Sequence, residues 1–376
     1  MKVLALRLMR AVLNAVYAVM KAVTREHGDR VLFLSRQGNS MQFDFQLIID
    51  ELEKLPHAPE CVVICCRSDK DLASRFRYSW AFVRSMYYLA TSRVCVLNSY
   101  WPATSILHHR DSLLVIQIWH AAGKIKQSGY QTLDRDMGHS SVVARELRMH
   151  KGYDIVIAGA KAWNPFYCAS FGISEDTIAN VGLPRFDFLQ TEGERVRERF
   201  FATYPELRGR RIVLYVPTFR AGLNEGAAAL VRALSDDARN AVIFRRHPNQ
   251  KPIALNDRMV YLAPDFSTLE LLLVSDYVVT DYSAVAVEAA SVPVKTLYYC
   301  FDIESYIAKN GLNVDPRTSM PSCVYTDAEQ LARSLDEPYP EAEFEAYRAK
   351  YVLPPEDLGH STERIVSMIR ERLDIA

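Results

Sequence analysis

A histidine that closes an apolar run and is followed at once by small residues is a candidate proton acceptor. Such a group stands in LLVIQIWHAAGKIKQSGY, where His120 leaves a strand-like run, Ala121, Ala122 and Gly123 give a ligand room beside the backbone, and Lys124 and Lys126 add positive charge. Histidine titrates near neutral pH and suits general acid–base work. A lone histidine is more often a core group tied to the backbone, but the adjoining glycine and lysines favour the chemical role. A second group, VLYVPTFRAGLNEG, carries Thr218 and Arg220 from a strand into a Gly-containing loop, suited to gripping phosphate oxygens by charge-assisted hydrogen bonds. A third, AVIFRRHPNQ, sets Arg245, Arg246 and His247 at a strand end, with Pro248 fixing the exit. Three cations there point to an anion rather than to an exposed basic turn. In the fourth, SDYVVTDYSAVAVEAASVPV, a strand ends at Thr280–Asp281, and Tyr282–Ser283 open an apolar helix carrying Glu288. Asp281 and Ser283 are suited to cap that helix, and its first-turn amides suit a phosphate. Glu288 is placed to accept hydrogen bonds from ribose hydroxyls.

These groups need strands to hold them. VLFLS (31–35), CVVICC (61–66), RVCVLN (93–98), SLLVIQIW (112–119) and YDIVIAG (153–159) read as strands, with helical stretches between them. Continuous apolar runs of this kind suit a parallel sheet buried on both faces. The pattern restarts with RIVLYVP (211–217), AVIFRR (241–246), MVYLA (259–263), DYVVT (276–280) and VKTLYY (294–299). The polar stretch near 190–210 is the expected boundary, with Arg185 and Asp187 of VGLPRFDF at the junction. The expected architecture is α/β, with a domain over 29–195, another over 205–376 whose terminal helix packs back on the first, and a cleft between them. In such folds ligands bind beyond the carboxyl ends of the strands.

The chain has 376 residues, 49% hydrophobic and 24% charged, with 45 Lys+Arg against 45 Asp+Glu. Length and composition fit two globular domains and exclude a disordered or collagen-like chain. The zero net charge argues against a generic nucleic-acid binder. It is the sum of unequal halves: residues 1–190 hold 23 basic and 17 acidic side chains, residues 191–376 hold 22 and 28. The seven cysteines form no CxxC pair and sit mostly in apolar runs, as core thiols of a reducing compartment do. No GxSxG, HExxH, GxxxxGK[ST] or EF-hand pattern occurs, and no carboxylate cluster compels a metal.

Residues 1–28 are expected to form an amphipathic helix, with Arg7, Arg10, Asn14, Lys21 and Arg25 on one face and apolar residues elsewhere. Arg7 and Arg10 interrupt the apolar centre that a secretory signal needs, and no run of about 18 uncharged apolar residues predicts a spanning helix. Such a helix either packs its apolar side on the protein's own core or lies in an anionic membrane surface. The nearly all-positive stripe favours the membrane.

Taken together, WHAAGKIKQSG (119–129), GLPRFD (182–187), PTFR (217–220), RHP (246–248), TDYSAVAVE (280–288) and the terminal D-x-G-x-S-x-x-R (Asp357 to Arg364) resemble the CDP-glycerol glycerophosphotransferases of wall teichoic acid and capsule synthesis. The likeness runs over about residues 30–370. It implies a GT-B fold of two Rossmann-like domains, with the donor CDP-glycerol held mainly by the second. His120 would deprotonate the acceptor hydroxyl, which attacks the donor's β-phosphorus and expels CMP. His247, Arg220 and Arg246 would hold the diphosphate, with Gly123, Lys124, Arg185, Asp187, Thr218 and Thr280 around the substrates, and Asp281, Tyr282, Ser283 and Glu288 would position phosphate and nucleoside. Positive side chains would replace an obligatory divalent ion. Many polymerase members have Gly where Ala121 stands, a second Ser where Ala284 stands, and Asp where Glu288 stands. WHAAG is nearer to primase-like members that add the first unit to an undecaprenyl-diphosphate saccharide, and SRQGNSMQFDFQLI is similar to members acting on short lipid-linked acceptors. The resemblance thus implies a peripheral enzyme on the cytoplasmic face of the plasma membrane, of primase type. The alternatives are a polymerase, a CDP-ribitol-dependent transferase, a GT-B glycosyltransferase using a nucleotide sugar, and a catalytically silent scaffold of envelope assembly.

Overall fold

A computed structural model describes residues 2–68, 71–135, 138–218, 220, 225–245 and 260–375. The chain divides into two compact units, one of Met1–His120, Ser128–Arg185 and His360–Ala376, the other of Ala121–Gln127 and Phe186–Gly359.

The first unit holds β1 (Arg30–Ser35), β2 (Glu60–Cys65), β3 (Val94–Leu97), β4 (Leu114–Gln117), β5 (Ile155–Ala158) and β6 (Ile178–Asn180). They form one sheet in the order β2-β1-β3-β4-β5-β6, parallel throughout. The second unit holds β7 (Arg211–Tyr215), β8 (Asn240–Phe244), β9 (Val260–Tyr261), β10 (Tyr277–Thr280), β11 (Lys295–Tyr299) and β12 (Val324–Tyr325). Their order is β12-β11-β10-β7-β8-β9, again all parallel. Every strand expected from the apolar runs is present. The two that were not, β6 and β12, are short edge strands without fully buried positions, so no apolar run announces them. The central strands β1, β3, β8 and β10 are buried along their whole length.

The units part between Arg185 and Phe186, ahead of the polar stretch near 190–210 expected as the boundary. The charged helix Gly193–Thr203 is already committed to the second unit. Its Phe200 is fully buried with its ring 5.3 Å from Phe266, and Arg199 pairs with Glu270 at 2.6 Å. The terminal helix Ser361–Leu373 belongs to the first unit, where Arg372 Nε donates to Ser112 O at 2.7 Å.

Four helices of the first unit matter below: α1 (Lys2–Val23), α2 (Phe43–Leu52), α3 (Leu72–Thr91) and α4 (Pro102–Ile106). Asp71 caps α3 by accepting from Ser74 N at 2.8 Å. The amphipathic α1 forms where expected, with its apolar side left off the protein's core, but the basic stripe expected to meet anionic lipid is not what it offers outward. Its polar stripe is turned onto the protein. Arg7 donates twice to the Glu146 carboxylate, each at 3.0 Å, and Arg10 to Glu146 O at 2.9 Å. Asn14 donates to Ile106 O at 2.8 Å and accepts from His108 N at 2.8 Å, and Lys21 donates to His108 O at 2.6 Å. Two anchors account for this: Glu146 takes Arg7 and Arg10, and carbonyls at and just past the end of α4, which lack partners within the helix, take Asn14 and Lys21. Buried Tyr17 completes the seam through its hydroxyl, 2.9 Å from His109 Nδ1. Burial brings His109 down to about 4, so its ring is neutral, and Nε2–H donates to Thr104 O at 3.0 Å. Nδ1 therefore accepts from Tyr17.

What α1 leaves outside is apolar. Leu4, Leu8, Val12, Val16, Val19 and Val23 recur every three or four positions on one face and run from 49% exposed at Val16 to 76% at Val23. By length and composition Val3–Val23 also reaches what a membrane span requires, which the count of uncharged residues had excluded. On α3, which packs along α1, the same spacing sets out Leu72, Phe76, Trp80, Val83 and Tyr87, with Leu72 81% and Phe76 79% exposed.

Candidate functional site

Each sheet changes direction at one place, and in parallel α/β sheets that switch point, at the carboxyl ends of the strands, is where ligands bind. In the second unit it lies between β7 and β10, and the strand-end residues there are bonded into one cluster. Asp281, 2% exposed, accepts from Thr218 N at 3.1 and 3.0 Å, from Thr218 Oγ1 at 2.6 Å, from Tyr282 N at 2.6 Å and from Arg220 Nη1 at 2.7 Å. Arg220 also grips Asp302 with two parallel bonds, Nε at 2.7 Å and Nη2 at 2.8 Å, while Tyr282 OH donates to Asp302 Oδ1 at 3.0 Å. The Tyr282 ring stacks on Tyr306 at 4.0 Å, and Lys126 Nζ donates to Thr218 Oγ1 at 3.1 Å over the Tyr306 face.

Electrostatics follow from this wiring. Burial works against the charge of Arg220, but Asp302 and Asp281 outweigh it and raise the guanidinium above its ordinary range. Burial likewise pushes Asp302 up, yet Arg220 prevails and holds its carboxyl below the usual value. Lys126 is lowered by burial, opposed by Asp281 and assisted by Arg220. Two cations thus stand against two carboxylates, with both hydrogen-bonding edges of Arg220 spoken for.

Lys126 arrives here because Ala121–Gln127 packs with the second unit. Asn313 clamps that segment, donating Nδ2 to Lys124 O at 2.8 Å and to Lys126 O at 3.3 Å and taking its own amide to Ile125 O at 2.7 Å. Lys124 itself is 2% exposed, and burial lowers its ammonium well below the ordinary value, so its positive charge is not a surface feature. Gly123 is buried beside it.

In the first unit, His120 Nδ1 lies 3.0 Å from Asn98 O. A carbonyl only accepts, so Nδ1 carries the proton, and in the neutral ring Nε2 carries the lone pair. Trp119, just before it, has φ 59°, a left-handed backbone that bulky residues rarely adopt. Its amide is held by Gln117 Oε1 at 2.9 Å, and its ring lies 4.1 Å from that of His120. The strand end is bent so that the imidazole is aimed, with the Trp119 ring tilted at 39° beside it.

The remaining sequence candidates divide. Arg185 donates to Asp44 through Nη2 at 2.5 Å and through its backbone N at 3.1 Å; with Asp44 2% exposed, this tie between α2 and the start of the helix Pro184–Thr191 uses the charge within the chain. Asp187 lies in the first turn of that helix. Thr280 Oγ1 donates to Val216 O at 2.9 Å, fastening β10 to the end of β7. Ser283 Oγ accepts from Val285 N at 3.4 Å, while Asp281 takes the Thr218 and Tyr282 amides rather than capping the helix Val285–Ala290. Glu288 is 4% exposed within that helix. Arg245 donates to the carbonyls of Leu262 and Ala263; Arg246 and His247 lie outside the described residues. Sequence reasoning missed Asp302, Tyr306 and Asn313. Asp302 follows β11 by three positions, so the strand-end rule that found Asp281 would have found it. Among the described residues no group of three or more His, Cys, Asp or Glu is placed to hold a metal.

Residues 16–371 match the CDP-Glycerol:Poly(glycerophosphate) glycerophosphotransferase family. The chain is 27% identical to the teichoic acid ribitol-phosphate primase of Bacillus spizizenii, over 98% of both chains. It is 22% identical to the teichoic acid glycerol-phosphate primase of Bacillus subtilis, over 76% of each. The solved structure of the wall teichoic acid polymerase TagF, an H444N variant with CDPG, superposes with a TM-score of 0.77 over 99% of this chain and 97% of that one, at 17% identity, a likeness of fold.

Proposed function

From the premise that the chain belongs to the CDP-glycerol:poly(glycerophosphate) glycerophosphotransferase family, we propose that it is a primase-type transferase that moves an alditol phosphate from a CDP-alditol to a hydroxyl of a lipid-linked saccharide. His120 Nε2 takes the hydroxyl proton, the oxygen forms its bond to the β-phosphorus, and the bond to the CMP oxygen breaks, releasing CMP. The observation that carries the reading is the bond from His120 Nδ1–H to Asn98 O, which fixes the tautomer whose basic nitrogen is Nε2. The cluster around Asp281 and Lys126 supports a donor site at the switch point of the second unit, where it fixes the strand-end residues that would position the donor for phosphoryl transfer. In this reading the chain's own cations neutralise the donor, and turnover survives EDTA.

CDP-ribitol is the favoured donor, because the relative matched over 98% of both chains is a ribitol-phosphate primase, whereas the glycerol-phosphate primase of Bacillus subtilis matches over 76%. CDP-glycerol, the donor expected from sequence, is the second reading. Calorimetry with CDP-ribitol, CDP-glycerol and UDP-sugars, followed by mass spectrometry of products from synthetic lipid-linked acceptors, tests both. CMP release and addition of one or a few alditol phosphates is the expected outcome. Binding of a UDP-sugar with no CDP-alditol binding sinks the proposal and favours a glycosyltransferase.

The proposed location is the inner membrane surface, reached through the apolar faces of α1 and α3 rather than through the basic stripe of α1. The helices Lys2–Val23 and Leu72–Thr91 contain seven Lys+Arg and no Asp or Glu. Trp80 and Tyr87 belong to the aromatic types that favour a membrane interface, and Arg75, Arg77 and Arg84 are exposed beside them. Leu8→Asp with Val12→Asp is expected to cut flotation with anionic liposomes by about tenfold or more, since each buried CH₂ contributes about 0.8 kcal/mol. Unchanged flotation removes the idea.

A further inference from the structure

The switch point of the first unit's sheet lies between β1 and β3, and there the chain places a cation without an anion. Arg36 follows β1 directly. Its backbone N donates to Ser99 Oγ at 2.8 Å, its Nη1 to Tyr100 O at 3.3 Å, and its guanidinium lies over the Tyr78 ring at 5.3 Å. Among the described residues no carboxylate pairs with it, although other arginines of this unit have one: Arg30 takes Glu60, Arg93 takes Asp374 and Arg185 takes Asp44. Among the described residues three buried polar atoms here have no hydrogen-bond partner: Arg36 Nε and Asn98 Oδ1 at the ends of β1 and β3, and the hydroxyl of Tyr78, the α3 residue whose ring faces Arg36.

A half-buried guanidinium and orphaned polar atoms are costly to a fold unless something completes them. The arginine fork matches phosphate in shape and charge. The place is also bound to the base, because Asn98, 2% exposed, gives its carbonyl to His120 and precedes the Ser99 that fixes Arg36. A phosphate at Arg36 therefore stands beside the end of β3, whose Asn98 also orients the histidine beyond the neighbouring β4.

We propose that Arg36, with Tyr78 and Asn98, forms a phosphate subsite of the first unit that receives the phosphate-bearing part of the acceptor; this rests on the transfer reaction proposed above. A phospholipid headgroup offers the same chemistry, and the test separates the two. Binding of a short-prenyl diphosphate disaccharide and of the same disaccharide without the diphosphate is measured by calorimetry on the full chain saturated with CDP, for wild type, Arg36→Gln, Arg36→Lys and Tyr78→Phe, with anionic liposome flotation in parallel. Arg36→Gln is expected to weaken the diphosphate ligand by about 10–100-fold, the scale of a hydrogen-bonded charge contact, and to leave the phosphate-free ligand within about twofold. Arg36→Lys and Tyr78→Phe fall between. Equal weakening of both ligands, or no weakening, overturns the proposal. Loss of flotation with unchanged acceptor binding overturns it too, and assigns the phosphate to lipid. Because binding needs no turnover, selective loss in a wild type that transfers nothing keeps the subsite and removes the reaction.

Discussion

Replacing His120 with alanine is expected to lower the rate of CMP release by about 10²–10⁴-fold, the usual contribution of a positioned general base, while donor affinity and folding stay near wild type. The expectation follows from how the ring is held. Its Nδ1–H is engaged by the Asn98 carbonyl, and the tilted ring of Trp119 lies against it from a strained backbone. The protein therefore spends structure on orienting a ring whose other nitrogen is the basic one. Little of the fold hangs on that ring, since β4 and its neighbours are held by the ladder and by Gln117. Donor binding is assigned to residues of the second unit, so calorimetry with a CDP-alditol reports the same affinity in the variant. The pH–rate profile adds a signature that a structural role would not move: the rising limb of the wild type is lost. Retained turnover, within about threefold of wild type, removes His120 as the base.

His120, Thr218, Arg220 and Asp281 were legible in the sequence because strands here are continuous apolar runs. Wherever such a run stops, the next polar side chain lies at a sheet edge, and in a parallel fold one such edge is the ligand edge. The same rule applied without exception would have included Asp302 and Arg36. Pairing was not legible. Nothing in the spacing of Arg185 reveals that Asp44, 141 positions away, takes its charge, or that Arg220 is shared between Asp281 and Asp302. Arginines that read alike as phosphate ligands differ in whether the fold has neutralised them, and that depends on contacts distant in sequence. The orientation of α1 was hidden for a related reason. A helical stripe shows which residues share a face, but the carbonyls of Ile106 and His108 that claim that face come from the end of another helix. Likewise, Lys124 and Lys126 look equivalent in GKIK, and nothing in their spacing shows that Lys126 reaches Thr218 while Lys124 is buried at 2% exposure.

The cluster around Arg220 yields the second large effect, in which stability and function should come apart. Arg220→Met removes the guanidinium that separates two carboxylates, one 2% and the other 24% exposed. Breaking a buried ion pair from one side costs about 3–5 kcal/mol, and at about 2–4 °C per kcal/mol for a unit of this size the second unit should melt roughly 6–20 °C lower. The pH dependence should also reverse. In the wild type Asp302 is held below its ordinary value by Arg220, so its contribution is present above the usual carboxylate range and is lost as pH falls through the folded-state value. In Arg220→Met, burial acts on Asp302 without Arg220 to oppose it and raises its carboxyl, the folded state binds more protons than the unfolded one, and stability grows as the solution is acidified from neutral toward the carboxylate range. Adding Asp281→Asn and Asp302→Asn removes the unpaired charges and should restore most of the melting temperature, because a buried charge cluster replaced as a whole is often neutral in stability. Donor affinity should stay at least about tenfold weaker in the triple variant, since the charge-assisted bonds that set Thr218 and Tyr282 at the switch point are gone. Differential scanning calorimetry across pH, with CDP-alditol titrations on the same three proteins, measures both quantities. Recovery of donor affinity together with stability would falsify a role for this cluster in donor binding and reduce it to a structural tie.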